Sequence, residues 1–339
     1  MENIFQTLEV ITLNKSQVYN ISKLIAIILV VYAHCSRMYT GLGVVQPVLS
    51  SSFLSGLTQY IYSFHMPLFF MISGAVFAFC LDKGKYQKRF NFIINKVKRL
   101  IIPYILFGFF YVAPIMTVFH FTSMNLKDYL VKGILLSRDS RHLWFILTLF
   151  WISLMAICVK ALYQKKYGLY ALMIVSVTLC LFSKNIISDL RLQSAAYYQL
   201  FFFIGMIINK FYEKIEQSLP YKPIISIFIG FVLLLQFYWN TFHAQILYGI
   251  LGSFMVLLLS MNYSNLKIWT HTLTLKLMKS SYGIYFFHPM IIYVLYYYLY
   301  KKEITPVVLC TGIFLISFIA SYFLTGLIRK LKIGFVIGE

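Results

Sequence analysis

The chain has 339 residues, 60% hydrophobic and 19% aromatic, with only 12% charged. A soluble globular domain carries about 25% charged residues, so this chain has too few to cover a soluble surface and falls in the integral membrane class. Its formal net charge is +20, from 30 Lys and Arg against 10 Asp and Glu; these cations lie in short stretches between long apolar runs, where they read as topology signals and lipid-headgroup contacts rather than nucleic-acid contacts.

The first nineteen residues, MENIFQTLEVITLNKSQVY, lack a basic start, an apolar run and a small-residue cleavage site. No cleavable signal peptide is expected, and the first span becomes the insertion signal. A spanning helix needs about 20 mostly apolar residues. Ten segments answer to that: 18–39, 57–80, 101–121, 143–161, 168–183, 195–211, 224–240, 246–262, 281–300 and 306–328. The expected fold is an all-α integral membrane protein of about ten transmembrane helices with both termini cytoplasmic. It forms one domain over 1–339, with a short N-terminal segment 1–17 and a tail 329–339; no internal repeat is evident. Placing the N-terminus inside puts 21 Lys and Arg on the cytoplasmic side and 9 on the outer side, the asymmetry the positive-inside rule asks for.

All ten acidic residues fall outside these spans. A cation-coupled transporter usually keeps a carboxylate at membrane depth; here the intramembrane titratable groups are mainly histidines. The first span, ISKLIAIILVVYAHCSRMY, carries Lys23 and His34. Eleven residues of helix turn through about 1100°, roughly 20° from three full turns, and rise ~16 Å. The two side chains therefore share a face. Lys23 fits either an interfacial lysine that snorkels or a functional cation. His34 fits either a packing histidine or a catalytic base.

The second span holds FHMPLFFMISG, with His65, Pro67, Ser73 and Gly74. Proline can kink a span, and Ser-Gly admits close helix approach; His65 is less well explained by packing. Seven cations precede the third span: Lys83, Lys85, Lys88, Arg89, Lys96, Lys98 and Arg99. They serve as a positive-inside anchor or as a site for a ligand with several phosphates. RDSRHLWFILTLFW sets Arg141 and His142 at the mouth of the fourth span, and SSYGIYFFHPMII sets His288 before Pro289 within the ninth. Five cysteines, Cys35, Cys80, Cys158, Cys180 and Cys310, lie in or beside apolar runs without metal-ligand spacing. Each is expected to be a buried small hydrophobe, with no disulfide and no metal.

Taken in order, these stretches resemble the acyltransferase-3 family of membrane acyltransferases, from residue 20 to about residue 330. That family's first span carries a basic residue, ten intervening residues and a histidine, matched here by Lys23 and His34, with lysine where the family usually has arginine. FHMPLFFMISG, KRLIIPY, HLWFILTLFW and SYGIYFFHP are similar to its other landmarks. FHMP and HLWF look most like the fucose 4-O-acetylase-like branch of polysaccharide O-acetyltransferases.

The resemblance implies transfer of an acyl group, usually acetyl, from acetyl-CoA or another acyl-CoA to a hydroxyl. The acceptor is a sugar of a surface polysaccharide or its lipid-linked precursor, and the setting is a bacterial inner membrane. The phosphates of CoA are expected near Lys23, Lys98 and Arg99, with the thioester arm extending toward His34. His34 serves as general base or as a covalent acyl carrier. His65 is the candidate donor to the thioester oxygen, and Arg141, His142 and His288 are the acceptor-binding candidates. Asp139, a tyrosine or a backbone carbonyl would orient His34. The rival reading is a glycan exporter or flippase without acyl-transfer chemistry; such a protein has no need of a base and a phosphate-binding cation on one helix face.

Overall fold

The computed structural model describes the backbone of residues 2–339 and the side chains of residues 14–339 other than Lys166. Among the described residues every regular element is helical, with no strand. The long helices are α1 (Glu2–Ser36), α2 (Ser52–Tyr62), α3 (His65–Asp82) and α4 (Arg89–Val118). They continue with α5 (Trp144–Cys158), α6 (Lys166–Leu181), α7 (Leu192–Lys210), α8 (Tyr212–Ser218) and α9 (Lys222–Val232). The last three are α10 (Phe242–Asn262), α11 (Thr272–Leu299) and α12 (Pro306–Lys330).

Each of the ten apolar segments contains a helix. Six helical stretches are long and apolar enough to cross a membrane: Asn14–Tyr39, Ser52–Asp82, Arg89–Val118, Arg141–Cys158, Phe242–Asn262 and Pro306–Lys330. A seventh arises if the pair Tyr212–Ser218 and Lys222–Phe237, bent by 97°, is one span. The third segment starts earlier than its apolar run, because the cations of Arg89–Lys96 occupy a helical turn of their own. α4 also runs through two π-helical stretches, Val97–Ile101 and Gly108–Val112. The ninth begins at Thr272 rather than 281.

Two local expectations change. Pro67 does not kink a continuous helix: the chain breaks after Tyr62, and Pro67 sits in the first turn of α3, where its missing N–H has no intrahelical partner to lose. Cys158, the last residue of α5, is exposed rather than buried; Cys80 is half-buried and Cys35, Cys180 and Cys310 are buried, and all five are free thiols.

The helices group into two compact units. The first comprises Met1–Val30, Gln59–Lys85 and Phe201–Ser281, the second Val31–Thr58, Tyr86–Leu200 and Tyr282–Glu339. In the first unit, α3 and α7 approach through glycine. A Cβ on Gly74 would meet the Phe202 carbonyl oxygen at 1.8 Å, and one on Gly205 would meet the Met71 carbonyl oxygen at 1.9 Å. Around this contact Val18, Tyr19, Met71, Ala75, Leu257 and Leu258 form an apolar core. Polar pairs tie the helices: Ser22 Oγ donates to Ser260 Oγ at 2.8 Å, Tyr19 Oη to Asn209 Oδ1 at 3.0 Å, and Asn209 Nδ2 to Asp82 Oδ2 at 2.7 Å.

The second unit packs aromatically. Phe107 of α4 stacks on Phe286 of α11 with centroids 4.5 Å apart and meets Phe287 edge-on at 5.1 Å. Tyr111 adds a hydrogen bond to the Phe287 carbonyl at 3.0 Å. These rings hold the middle of α11, which carries His288.

Candidate functional site

α11 presents Tyr285 and His288 three residues apart, so both lie on one helix face. His142 sits in the short 3₁₀ turn Arg141–Leu143 that leads into α5, and His34 in the last turn of α1. The second unit brings the three imidazoles together. The His34 and His288 rings lie 5.2 Å apart, edge to face, and the His142 and His288 rings 6.1 Å apart. Tyr285 contacts His142 at 5.5 Å and His288 at 6.2 Å between centroids. His288 is fully buried, His142 nearly so, and His34 half-buried.

The hydrogen bonds fix two tautomers. His288 Nδ1 lies 2.9 Å from the Ile284 carbonyl oxygen, and His142 Nε2 lies 3.1 Å from the Phe286 carbonyl oxygen. A carbonyl only accepts, so each of these nitrogens carries the proton. The opposite nitrogens, His288 Nε2 and His142 Nδ1, are buried with no hydrogen-bond partner. In the neutral rings they are bare lone pairs. Tyr285 Oη donates to the His142 carbonyl oxygen, so α11 and the start of α5 are stitched in both directions. A buried polar atom without a partner is costly to keep, and each of these two nitrogens is free to accept a hydrogen bond.

Carbonyls, not carboxylates, orient His142 and His288. Among the described residues no group of three or more His, Cys, Asp or Glu is placed to hold a metal ion. What the arrangement can do is accept protons, at His142 and His288 in a buried setting.

The remaining candidates fall elsewhere. Arg141, beside His142, makes an ion pair with Asp139 at 3.1 Å and donates through Nη2 to the Phe121 carbonyl at 3.3 Å, while its buried Nε has no partner. Burial pushes the Asp139 carboxyl above its usual range, with Arg141 and Arg191 pulling the other way. Lys98 and Arg99 are exposed on the π-helical stretch of α4. Arg99 Nε donates to the Gly338 carbonyl at 3.1 Å, and Tyr282 Oη donates to the Arg99 carbonyl at 3.0 Å. Gly338 adopts φ of +72°, and a Cβ there would meet the Arg99 carbonyl at 2.4 Å. The 334–339 segment thus lies directly against Arg99.

Lys23 and His65 belong to the first unit. Lys23 is half-buried on α1. His65 is 2% exposed, its ring is 4.5 Å from that of Tyr62, and its Nδ1 lies 3.0 Å from the Ile61 carbonyl oxygen. That N–H is committed, so the neutral ring has no second N–H to offer an oxyanion.

Sequence reasoning missed Tyr285 and the Phe286 carbonyl. The spacing of Tyr285 and His288 at i and i+3 was a usable signal for the tyrosine; nothing in the sequence marks which carbonyl a histidine will reach. Compared with known families, the chain matches the model of the acyltransferase domain of the acyltransferase-3 family over residues 19–326. No match is found among curated proteins, and none among solved structures.

Proposed function

The chain belongs to the acyltransferase-3 family and is a membrane acyltransferase, and we propose that it moves an acetyl group from acetyl-CoA to a hydroxyl of a cell-surface glycan or its lipid-linked precursor. The observation that carries this reading is the His34–His142–His288 cluster, with open nitrogens on His142 and His288. An O-acetyl transfer needs a base where the acceptor hydroxyl meets the thioester. It needs no metal and no redox group.

In the proposed step, the acceptor oxygen attacks the thioester carbonyl carbon while His34 takes the hydroxyl proton. The carbon–sulfur bond then breaks. The thiolate leaves as CoA and recovers the proton from the imidazolium, so the products are the ester and CoA thiol. His288, next to His34, stabilises or relays that proton through its open Nε2. His142 and Arg141 bind the acceptor. Lys98 and Arg99 hold CoA phosphates, Arg99 as a fork-shaped donor and Lys98 as a point charge.

The proposed topology is ten spans with both termini cytoplasmic, in a bacterial inner membrane, and the proposed branch of the family is the fucose 4-O-acetylase-like one. The reading is tested by supplying ¹³C-acetyl-CoA to membranes with and without the protein and following the label by mass spectrometry. Protein-dependent label in glycan or lipid-linked sugar is expected. Glycan export that depends on the protein, with no label transferred, would make it an exporter instead.

A further inference from the structure

Two loops of the second unit, residues 136–141 and 186–191, line an open surface pocket of about 580 Å³ bordered by Ser137, Arg138, Ile187, Ser188, Asp189 and Arg191. Its volume lies within the roughly 300–1,000 Å³ of small-molecule sites. The loops are pinned to each other. Leu190 N donates to the Leu136 carbonyl at 2.8 Å, Arg138 grips Asp189 through two bonds of 2.8 and 2.7 Å, and Trp151 Nε1 donates to the Leu190 carbonyl at 2.9 Å.

The backbone here is strained. Ser137, Arg141, Leu190 and Arg191 have φ of +55°, +48°, +53° and +60°, a region that side-chain-bearing residues seldom occupy. Such strain persists where the surroundings over-determine it, and it gathers at binding and catalytic sites.

The charges are unevenly matched. Three arginines stand on these loops. Arg138 is paired with Asp189 and Arg141 with Asp139. Arg191, half-buried, has no carboxylate within ion-pair distance among the described residues. It donates to the Ser137 hydroxyl at 3.3 Å and the Arg138 carbonyl at 3.4 Å, which leaves guanidinium donors uncommitted at the pocket wall. Asp139 acts on Arg191 only from beyond ion-pair distance, and a guanidinium with donors to spare beside a serine hydroxyl and a carboxylate–guanidinium pair suits a polyhydroxyl ligand bearing an anionic group. The same loop runs on into His142, five residues after Ser137.

We propose that this pocket is a docking subsite for an anionic sugar acceptor, with Arg191 holding its carboxylate or phosphate and Asp189, Arg138 and Ser188 bonding its hydroxyls. The proposal rests on the acyl-transfer reading for its purpose. Its binding test does not depend on turnover.

The test is calorimetry on the full chain in nanodiscs, with glucose, glucuronate, glucose 1-phosphate and inorganic phosphate as probes. At least one anionic sugar should bind about tenfold or more tighter than glucose, as a charge-assisted contact provides. Arg191→Gln should bring that affinity down to the glucose level, Arg191→Lys should keep part of it, and Ile187→Trp should block every probe by filling the pocket. The glucuronate and glucose 1-phosphate arms distinguish carboxylate from phosphate. Equal binding of glucose and both anionic sugars, or unchanged binding in Arg191→Gln, would overturn the proposal. So would inorganic phosphate binding as tightly as glucose 1-phosphate, since the sugar would then contribute nothing. If the wild type binds anionic sugars but transfers no acetyl, the acyltransfer reading fails and the subsite stands.

Discussion

The two units of this chain handle strain and polarity differently. All six described non-glycine residues with positive φ, His120, Ser137, Arg141, Leu190, Arg191 and Lys332, lie in the second unit. The first unit closes its helices through Gly74 and Gly205 and runs its polar side chains into one another, as in Tyr19–Asn209–Asp82. The second unit keeps two buried imidazole nitrogens open and holds loops in costly conformations. Left-handed backbone at side-chain-bearing residues persists only where something else requires it. Unpaired buried atoms do not divide the units, since Tyr212 Oη and Gln236 Nε2 of the first are also buried without a partner; the left-handed loops and the histidine cluster are what place the proposed chemistry in the second.

That contrast can be broken most sharply at α11. His288→Gln keeps a polar side chain but removes the imidazole base. Acetyl transfer should fall by about 10²-fold or more, the usual worth of a general acid–base group, while detergent-solubilised yield holds. The matching perturbation of the first unit is Gly74→Val. It drives a side chain into the Phe202 carbonyl and should cost about 1–3 kcal/mol or more, read as lost folded yield and a lower Tm. If Gly74→Val spares stability but abolishes transfer, the division of labour is wrong.

A smaller effect is expected at Arg99. Removing it takes away a charge-assisted contact worth about 1.5–3 kcal/mol, so Arg99→Ala should raise the KM for acetyl-CoA about tenfold or more, with kcat less affected. An equal fall in kcat with unchanged KM would move Arg99 out of cofactor binding and into holding the 334–339 segment. The smallest effect comes from acid. The Arg138 guanidinium beside Asp189 holds that carboxyl below its usual range. A depressed folded value means the clamp's contribution is present above the unfolded carboxylate pKa, about 3.9, and is lost as pH falls through the lower folded value. Hydrogen exchange in 186–191 should stay slow from pH 8 to 5 and rise only in stronger acid. A rise between pH 7 and 5 would point to a histidine instead.

Much of this fold was legible in the sequence, because greasy length alone marks a helix that can span a membrane. All ten apolar segments carry helices. The departures follow local physics that composition does not encode: the π-helical stretches of α4, the break before Pro67, and the 97° bend between Tyr212–Ser218 and Lys222–Phe237. The site was legible as residue types. His34, His142 and His288 stood out as polar groups in apolar surroundings. Their grouping was not, since 145 residues of chain separate His142 from His288 and no helical periodicity reaches that far. The tautomers depend on the Phe286 and Ile284 carbonyls, and the pocket beside Arg191 depends on left-handed backbone at residues that sequence gives no reason to suspect.

In the proposed mechanism His34 does chemistry rather than packing. The most direct measurement is transfer of ¹³C-acetyl from acetyl-CoA to surface glycan by membranes holding wild type or His34→Ala, matched for inserted protein. If His34 is the base, labelled ester falls about 10²-fold or more with insertion intact. Labelled ester at the wild-type level in His34→Ala would contradict it.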